Sequence, residues 1–395
     1  MTGNALVGQS GGPTAVINSS LAGVVDATRA AGANKLYGMR FGIEGFLESS
    51  IVDFDNVGQD EIELLRDTPS SALGSCRYKL ADDDLASVLT QLKKFDIRYL
   101  VMIGGNDTMD TIHRIEEYAR SNDYELFGVG VPKTVDNDLF GTDHTPGFPS
   151  AARYVALSVQ QSARLAADMQ KVDKFVVHQT VGRDAGWLAA ASVAAKRGEG
   201  DAPHLILAPE RPVGRDALLD RAQQTIDRHG WAYVVIGEGA VWDDEIPISA
   251  SMTKDQFSNV EFGAMGGSSA ALQVHSLLSR ELKVRGEFQI TESLPMCASD
   301  RVSSLDRNEA YQCGMKAMEM ATSSNSGVMI TIDRKTDKPY RADLGTIALS
   351  EVAVRSRPMP DKYFAESGTD VSPQYREYLD PLIGSFPTYA NLRSE

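Results

Sequence analysis

Three times in the first 140 residues, a short apolar run empties into a turn built from glycine or proline and small polar residues. Ala5 to Gln9 leads into Ser10-Gly11-Gly12-Pro13-Thr14 and then an amphipathic stretch over 15–31. Tyr99 to Ile103 leads into Gly104-Gly105-Asn106-Asp107-Thr108 and a helical pattern over 109–120. Leu126 to Val131 leads into Pro132-Lys133-Thr134-Val135-Asp136-Asn137-Asp138. Apolar runs of this length between helical patterns are buried strands, and strands that alternate with helices predict an α/β fold with a parallel, doubly wound sheet. In such a sheet the chemistry gathers just past the carboxyl ends of the strands. These three turns are therefore where function is to be sought.

Each turn has a chemical and a plain reading. Paired glycines before a helix let backbone N–H groups approach a phosphate at the positive end of the helix, but they are also ordinary punctuation between strand and helix. Neither G-x-G-x-x-G nor G-x-x-x-x-G-K-[ST] is present, so no nucleotide fingerprint applies. Asn106 and Asp107 offer an amide oxygen and a carboxylate to a cation, while Asp107 also suits the first turn of a helix. In 132–138, Asp136 is placed to take a proton, Asp138 to steady it and Lys133 to bind an anion. Asp, Asn and Pro equally make a surface turn. Arg77 closes a small-residue loop, 68–78, where its planar fork suits phosphoryl oxygens. A solvated loop arginine is the commoner case.

The chain has 395 residues, 39 basic against 54 acidic, for a net charge of −15. That length predicts two lobes. The charge argues against nucleic acid or an anionic membrane as partner. Cys76, Cys297 and Cys313 have no paired spacing, so neither a disulfide framework nor a zinc site is expected. No leader-like or membrane-length apolar run is found, which predicts a cytoplasmic protein. His144, His178 and His204 lack ligand spacing and read as core or turn histidines. Met315, Met318 and Met320 read as helix packing.

A second α/β series follows a helical pattern over 150–171. Its strands are expected at 174–179, 204–207 and 232–236, with helices at 187–196 and 215–229. Glu238, between Gly237 and Gly239, sits at another strand exit, where a carboxylate can accept hydrogen bonds from sugar hydroxyls. The stretch 328–332 is the last clear strand, and the tail from Met359 is expected to be irregular.

Taken in order, SGGPTAVIN, LGSCR (73–77), GGNDT (104–108), PKTVDND (132–138), TPGFPSAAR (145–153), VGRDAG (181–186) and GEG (237–239) resemble the phosphofructokinase family over about residues 5–335. The resemblance implies two doubly wound lobes with mainly parallel sheets and an active site between them. It divides the chain into a donor lobe (1–147, completed by about 265–335), a sugar-phosphate lobe (148–264) and a C-terminal extension (336–395). The implied reaction is Mg²⁺-dependent phosphoryl transfer to the 1-hydroxyl of fructose 6-phosphate. Asp136 matches the family's base, with Thr134, Asp138 and Lys133 around it. Gly11, Gly12, Arg77, Gly105, Asn106, Asp107 and Thr108 match the donor site, with Asn106 and Asp107 as metal candidates. Gly182, Arg183 and Glu238 match the sugar side. Lys174 falls where a neighbouring subunit's arginine usually grips the 6-phosphate, which implies a homodimer or larger homo-oligomer.

Two positions bear on the donor. Asp107 and Lys133 stand where ATP-using members usually carry glycine, which is similar to the pyrophosphate-dependent branch. The physics agrees: Asp107 adds bulk and negative charge where an α-phosphate would lie, and Lys133 adds a cation for pyrophosphate. Reversibility is implied by the branch. Some positions depart from the family. Val181 replaces a methionine, Gln179 replaces a glutamate and Ile290 replaces a 6-phosphate arginine, for which Arg301 is the candidate substitute. Rival readings are another acceptor such as sedoheptulose 7-phosphate, ATP as donor, or a non-catalytic sugar-phosphate-binding paralogue.

Overall fold

The computed structural model describes residues 3–32, 34–249 and 269–390. Two sheets organise the chain. The first contains β1 (Asn4–Gln9), β2 (Leu36–Met39), β3 (Ile51–Asp53), β4 (Ile97–Gly104), β5 (Phe127–Pro132), β10 (Val328–Asp337) and β11 (Tyr340–Ala348), ordered β11-β10-β5-β4-β1-β2-β3. Its centre is parallel, and the outer pairs β2–β3 and β10–β11 are antiparallel. The second contains β6 (Phe175–Thr180), β7 (Leu205–Leu207), β8 (Ala232–Gly237) and β9 (Gly286–Ile290), all parallel, ordered β7-β8-β6-β9.

Helices cover both faces of each sheet, which is why the central strands are apolar on both sides. On the first sheet, α1 (Ile17–Ala30) and α10 (Ser304–Thr322) bury Leu21, Val24, Cys313 and Met318 against β1, β4 and β5. The opposite face packs α4 (Leu85–Lys94) and α5 (Asn106–Ser121) through Val88, Leu92, Ile112 and Ile115. On the second, α6 (Phe148–Met169), α7 (Trp187–Ala191) and α12 (Pro373–Ile383) share one core, while α8 (Arg215–His229) and α9 (Ala270–Leu282) share the other. Among the described residues, no helix is long and apolar enough to cross a membrane.

Register explains the placement of the site. Gln9 lies opposite Ile103, and Gly104 opposite Pro132, so the three turns of the first sheet emerge side by side. In the second sheet Thr180 lies opposite Gly237 and Gln179 opposite Ile290, which aligns a second set of exits.

Three expectations need correction. The stretch 328–332 is not the last strand: β10 runs on to Asp337 and β11 follows. β11 is a half-exposed edge strand without a continuous apolar run, so periodicity misses it. The tail is not irregular throughout, because α12 buries Tyr375, Tyr378, Leu379 and Leu382 at helical spacing. Pro381 inside it interrupts the helical pattern. The helix expected over 187–196 stops at Ala191 and tightens into a 3₁₀ turn over Ser192–Ala195. The expected lobe boundary at 264/265 lies outside the described residues.

Candidate active site

The turn after β5 is enclosed. Lys133 is 4% exposed, and its Nζ donates to the Gly12 carbonyl at 2.7 Å. Burial pushes the ammonium down to about 8; Asp136 and Asp138 resist that shift, and Arg77 adds to it. Asp136 behaves oppositely. Burial, reinforced by Asp138 and Glu238, pushes its carboxyl up to about 7 against the pull of Lys133 and Arg183. Its Oδ1 is buried with no hydrogen-bond partner. Its backbone N–H donates to Thr134 Oγ1 at 3.1 Å. The Asp138 carboxyl is also held up by burial and by Asp184, with Lys133 and Arg357 opposing. A carboxylate near neutrality beside a cation, with one oxygen unengaged, is suited to take and return a proton at neutral pH.

The other turns of the first sheet face the same space. Gly11 adopts φ +76°, and a Cβ there would come within 3.2 Å of Lys133 Nζ, so glycine keeps the lysine's path open. Gly12 supplies the carbonyl that holds that lysine. Gly105 precedes α5, whose first turn contains Asn106, exposed Asp107 and buried Thr108. Asn106 Oδ1 is buried and unpartnered. Arg77 is exposed at the loop's end, close enough to act on Lys133 electrostatically.

The exits of the second sheet complete the arrangement. Glu238 is 6% exposed and accepts a hydrogen bond from Gly182 N at 3.2 Å. Burial raises its carboxyl above the ordinary range, with Arg183 opposing. A Cβ on Gly239 would collide with the Arg183 carbonyl oxygen, so only glycine lets these two loops approach. Arg183 and Glu238 both act on Asp136, so the two sets of exits look into one cleft.

One expected sugar-site residue, Lys174, stands apart from the cleft. Lys174 precedes β6, at the end opposite Gly182, and its Nζ donates to the Gln170 carbonyl at 2.8 Å. A strand of that length separates it from Arg183 by about 20 Å. Arg301 ends a 3₁₀ turn over Ser299–Arg301 and packs its side chain against α6, with Nη1 donating to Ser158 Oγ at 3.0 Å and its guanidinium 4.9 Å from the Tyr154 ring centre. Ile290 closes β9 beside Gln179.

Several residues that shape the site carried no sequence signal. Asn137 sits at φ +57° between the two aspartates and is fully buried. Its Oδ1 accepts from Thr145 N at 3.1 Å and its Nδ2 donates to Tyr378 Oη at 3.1 Å. Asp306 accepts from the N–H groups of Gly147 and Ser150 at the start of α6, at 2.9 and 3.0 Å. Glu210 receives the N–H of Gly186.

The family model described as phosphofructokinase matches residues 4–321. A pyrophosphate–fructose 6-phosphate 1-phosphotransferase of Halomonas elongata is 35% identical over 98% of this chain and 94% of its own length. A sulfofructose kinase of Alkalicoccus urumqiensis is 32% identical over 95% of this chain and 94% of its own. The crystal structure of a pyrophosphate-dependent phosphofructokinase from Marinobacter aquaeolei superposes with a TM-score of 0.88 at 34% identity, covering 98% of this chain and 94% of that one.

Proposed function

The chain belongs to the phosphofructokinase family, and from that premise we propose that it transfers a phosphoryl group from pyrophosphate to the 1-hydroxyl of fructose 6-phosphate, reversibly. The observation that carries this is the pairing of Asp136 and Lys133 in one enclosed cleft. Pyrophosphate lies against Gly11, Gly12, Arg77, Gly105, Asn106, Asp107, Thr108 and Lys133. The sugar lies against Gly182, Arg183 and Glu238, with Thr134 and Asp138 flanking the reacting hydroxyl. Asp136 accepts the proton of the sugar 1-hydroxyl as that hydroxyl's oxygen attacks the terminal phosphorus in line, and the bridging P–O bond of pyrophosphate breaks to release phosphate. Lys133 and Arg183 offset charge on the transferred group, and such fixed charge with good positioning is most of what phosphoryl transfer requires.

Members of this family use a divalent metal, and Mg²⁺ suits the donors here. Among the described residues no cluster of three or more Asp, Glu, His or Cys can hold an ion. Mg²⁺ in phosphoryl-transfer sites is commonly held by substrate phosphates and water, with one or two protein oxygens. Asn106 Oδ1, which is buried and unpartnered, and the exposed Asp107 carboxylate would supply those oxygens. The ion would neutralise phosphoryl charge. The distance of Lys174 from its own chain's cleft supports a role in a second copy's sugar site, and hence a homo-oligomer. Pyrophosphate and a sugar phosphate as soluble substrates support a cytoplasmic site of action.

A second acceptor reading rests on Ile290. With no arginine at that strand exit, a sugar whose remote group carries one negative charge, as a sulfonate does, needs fewer cations than a phosphate ester. A coupled assay crossing pyrophosphate and ATP with fructose 6-phosphate, sedoheptulose 7-phosphate and 6-deoxy-6-sulfofructose tests both readings. Turnover with pyrophosphate and fructose 6-phosphate, lost in Asp136→Asn, is expected. Turnover with ATP alone would defeat the donor assignment.

A further inference from the structure

The segment after α11 (Leu349–Ala353) joins the two loops that carry the chemistry. Ser356 bridges Leu139, and Arg357 N donates to the Asp138 carbonyl at 2.7 Å. The Arg357 guanidinium then donates to three further carbonyls of the same loop. It reaches Asn137 O through Nε at 3.2 Å and Nη2 at 2.8 Å, Thr142 O through Nη1 at 2.6 Å, and Asp143 O through the same nitrogen. Its other face lies 4.8 Å from the Trp187 ring centre. Two residues on, Met359 N donates to Glu210 Oε1 at 2.9 Å. Both Glu210 oxygens also accept from Gly186 N, at 3.1 and 3.0 Å, in the loop that bears Arg183.

We infer that Arg357 and Glu210 are positioning residues for the transfer reaction: through residues 357–359 they hold the loop of Asp136 and Asp138 in fixed register with the loop of Gly182 and Arg183. The inference rests on the reading of Asp136 as base. The physical need is clear at Asn137. A non-glycine residue at φ +57° persists only where its surroundings hold it, and Arg357 holds its carbonyl while Tyr378 and Thr145 hold its amide. Arginine is the residue for this task. Its rigid fork reaches several carbonyls at once, and its charge strengthens each bond; lysine has neither the span nor the plane. Asn137 separates the two aspartates, so any relaxation there re-aims both.

Kinetics of Arg357→Lys, Glu210→Ala and their combination test this, with Asp136→Asn alongside. Positioning predicts that each single change lowers kcat by about 10- to 100-fold, as misplacement of about 1 Å does, while KM for pyrophosphate and sugar phosphate stays within about threefold. Because both residues act through one link, the double variant should lose little more than the worse single. Arg357→Gln and Glu210→Gln provide the readout if a harsher change prevents folding, as judged by circular dichroism. Folded variants with unchanged kcat, a raised KM at unchanged kcat, or fully additive losses would each overturn the inference. Activity retained in Asp136→Asn would instead overturn the assignment of the base.

Discussion

Asp136→Asn should cost the enzyme its chemistry and make the fold more stable, and the size of the second effect follows from the site. The carboxyl is moved from 3.8 to about 7, chiefly by burial. At 1.36 kcal/mol per unit, holding it ionised in the cleft costs about 4 kcal/mol. Below pH 4 the group is protonated whether folded or unfolded, and contributes nothing. From pH 4 to 7 the unfolded chain releases a proton that the folded site keeps, so stability drains away as pH rises. Above pH 7 the whole penalty is present. Asparagine has the same shape and no charge, so it avoids that penalty. It also deprives the buried Lys133 ammonium of the carboxylate that supports it most strongly, which offsets part of the gain. A net stabilisation of about 1–3 kcal/mol at pH 8, shrinking toward zero near pH 4, is expected after that discount. Urea and thermal midpoints of parent and variant, taken in steps from pH 4 to pH 8.5, measure it. A midpoint difference that stays flat with pH, or that favours the parent at pH 8, would refute the account of Asp136 as a strained, enclosed base.

Three further outcomes bear on the same cleft. Substrate-dependent rate should trace a narrow bell, rising as Asp136 ionises near pH 7 and falling as Lys133 loses its proton near pH 8; Lys133→Arg should move the falling limb out of range. Lys133→Gly alone should cost about 2–4 kcal/mol of transition-state stabilisation with pyrophosphate, and Lys133→Gly combined with Asp107→Gly should abolish pyrophosphate use and open the cleft to ATP; unchanged pyrophosphate kcat/KM in either single variant contradicts the donor assignment. Gly239→Ala, whose methyl would meet the Arg183 carbonyl, should force the sugar-side loops apart and raise KM for the sugar phosphate well before that for pyrophosphate; steady-state kinetics with each substrate varied separates the two.

The division between what the chain disclosed and what it hid has a physical cause. β1, β4, β5, β6 and β8 are buried on both faces, so each is written as an apolar run, and the polar residues that follow mark its exit. That is why Gly11, Asn106, Lys133, Asp136 and Glu238 could be picked out before any fold was known. β11 and α12 are half-wet elements, and their patterns are diluted by exposed residues and by Pro381. The residues that hold the cleft in shape were invisible for a different reason. Arg357 binds a carbonyl 220 positions earlier, and a backbone acceptor leaves no mark on its own side chain. His144 is buried, as a core histidine should be, but its charge state was not legible. It reads as an ordinary core histidine, and burial alone would lower its pKa, yet Asp143 and Glu309 grip both ring nitrogens and keep it charged to about pH 9. A fully buried cation tied to the residue that Arg357 and Tyr378 also bind is part of the catalytic loop's foundation. Chemistry at strand exits is therefore legible one segment at a time. The geometry that makes it fast is held by contacts between segments, so it has to be read from the folded chain.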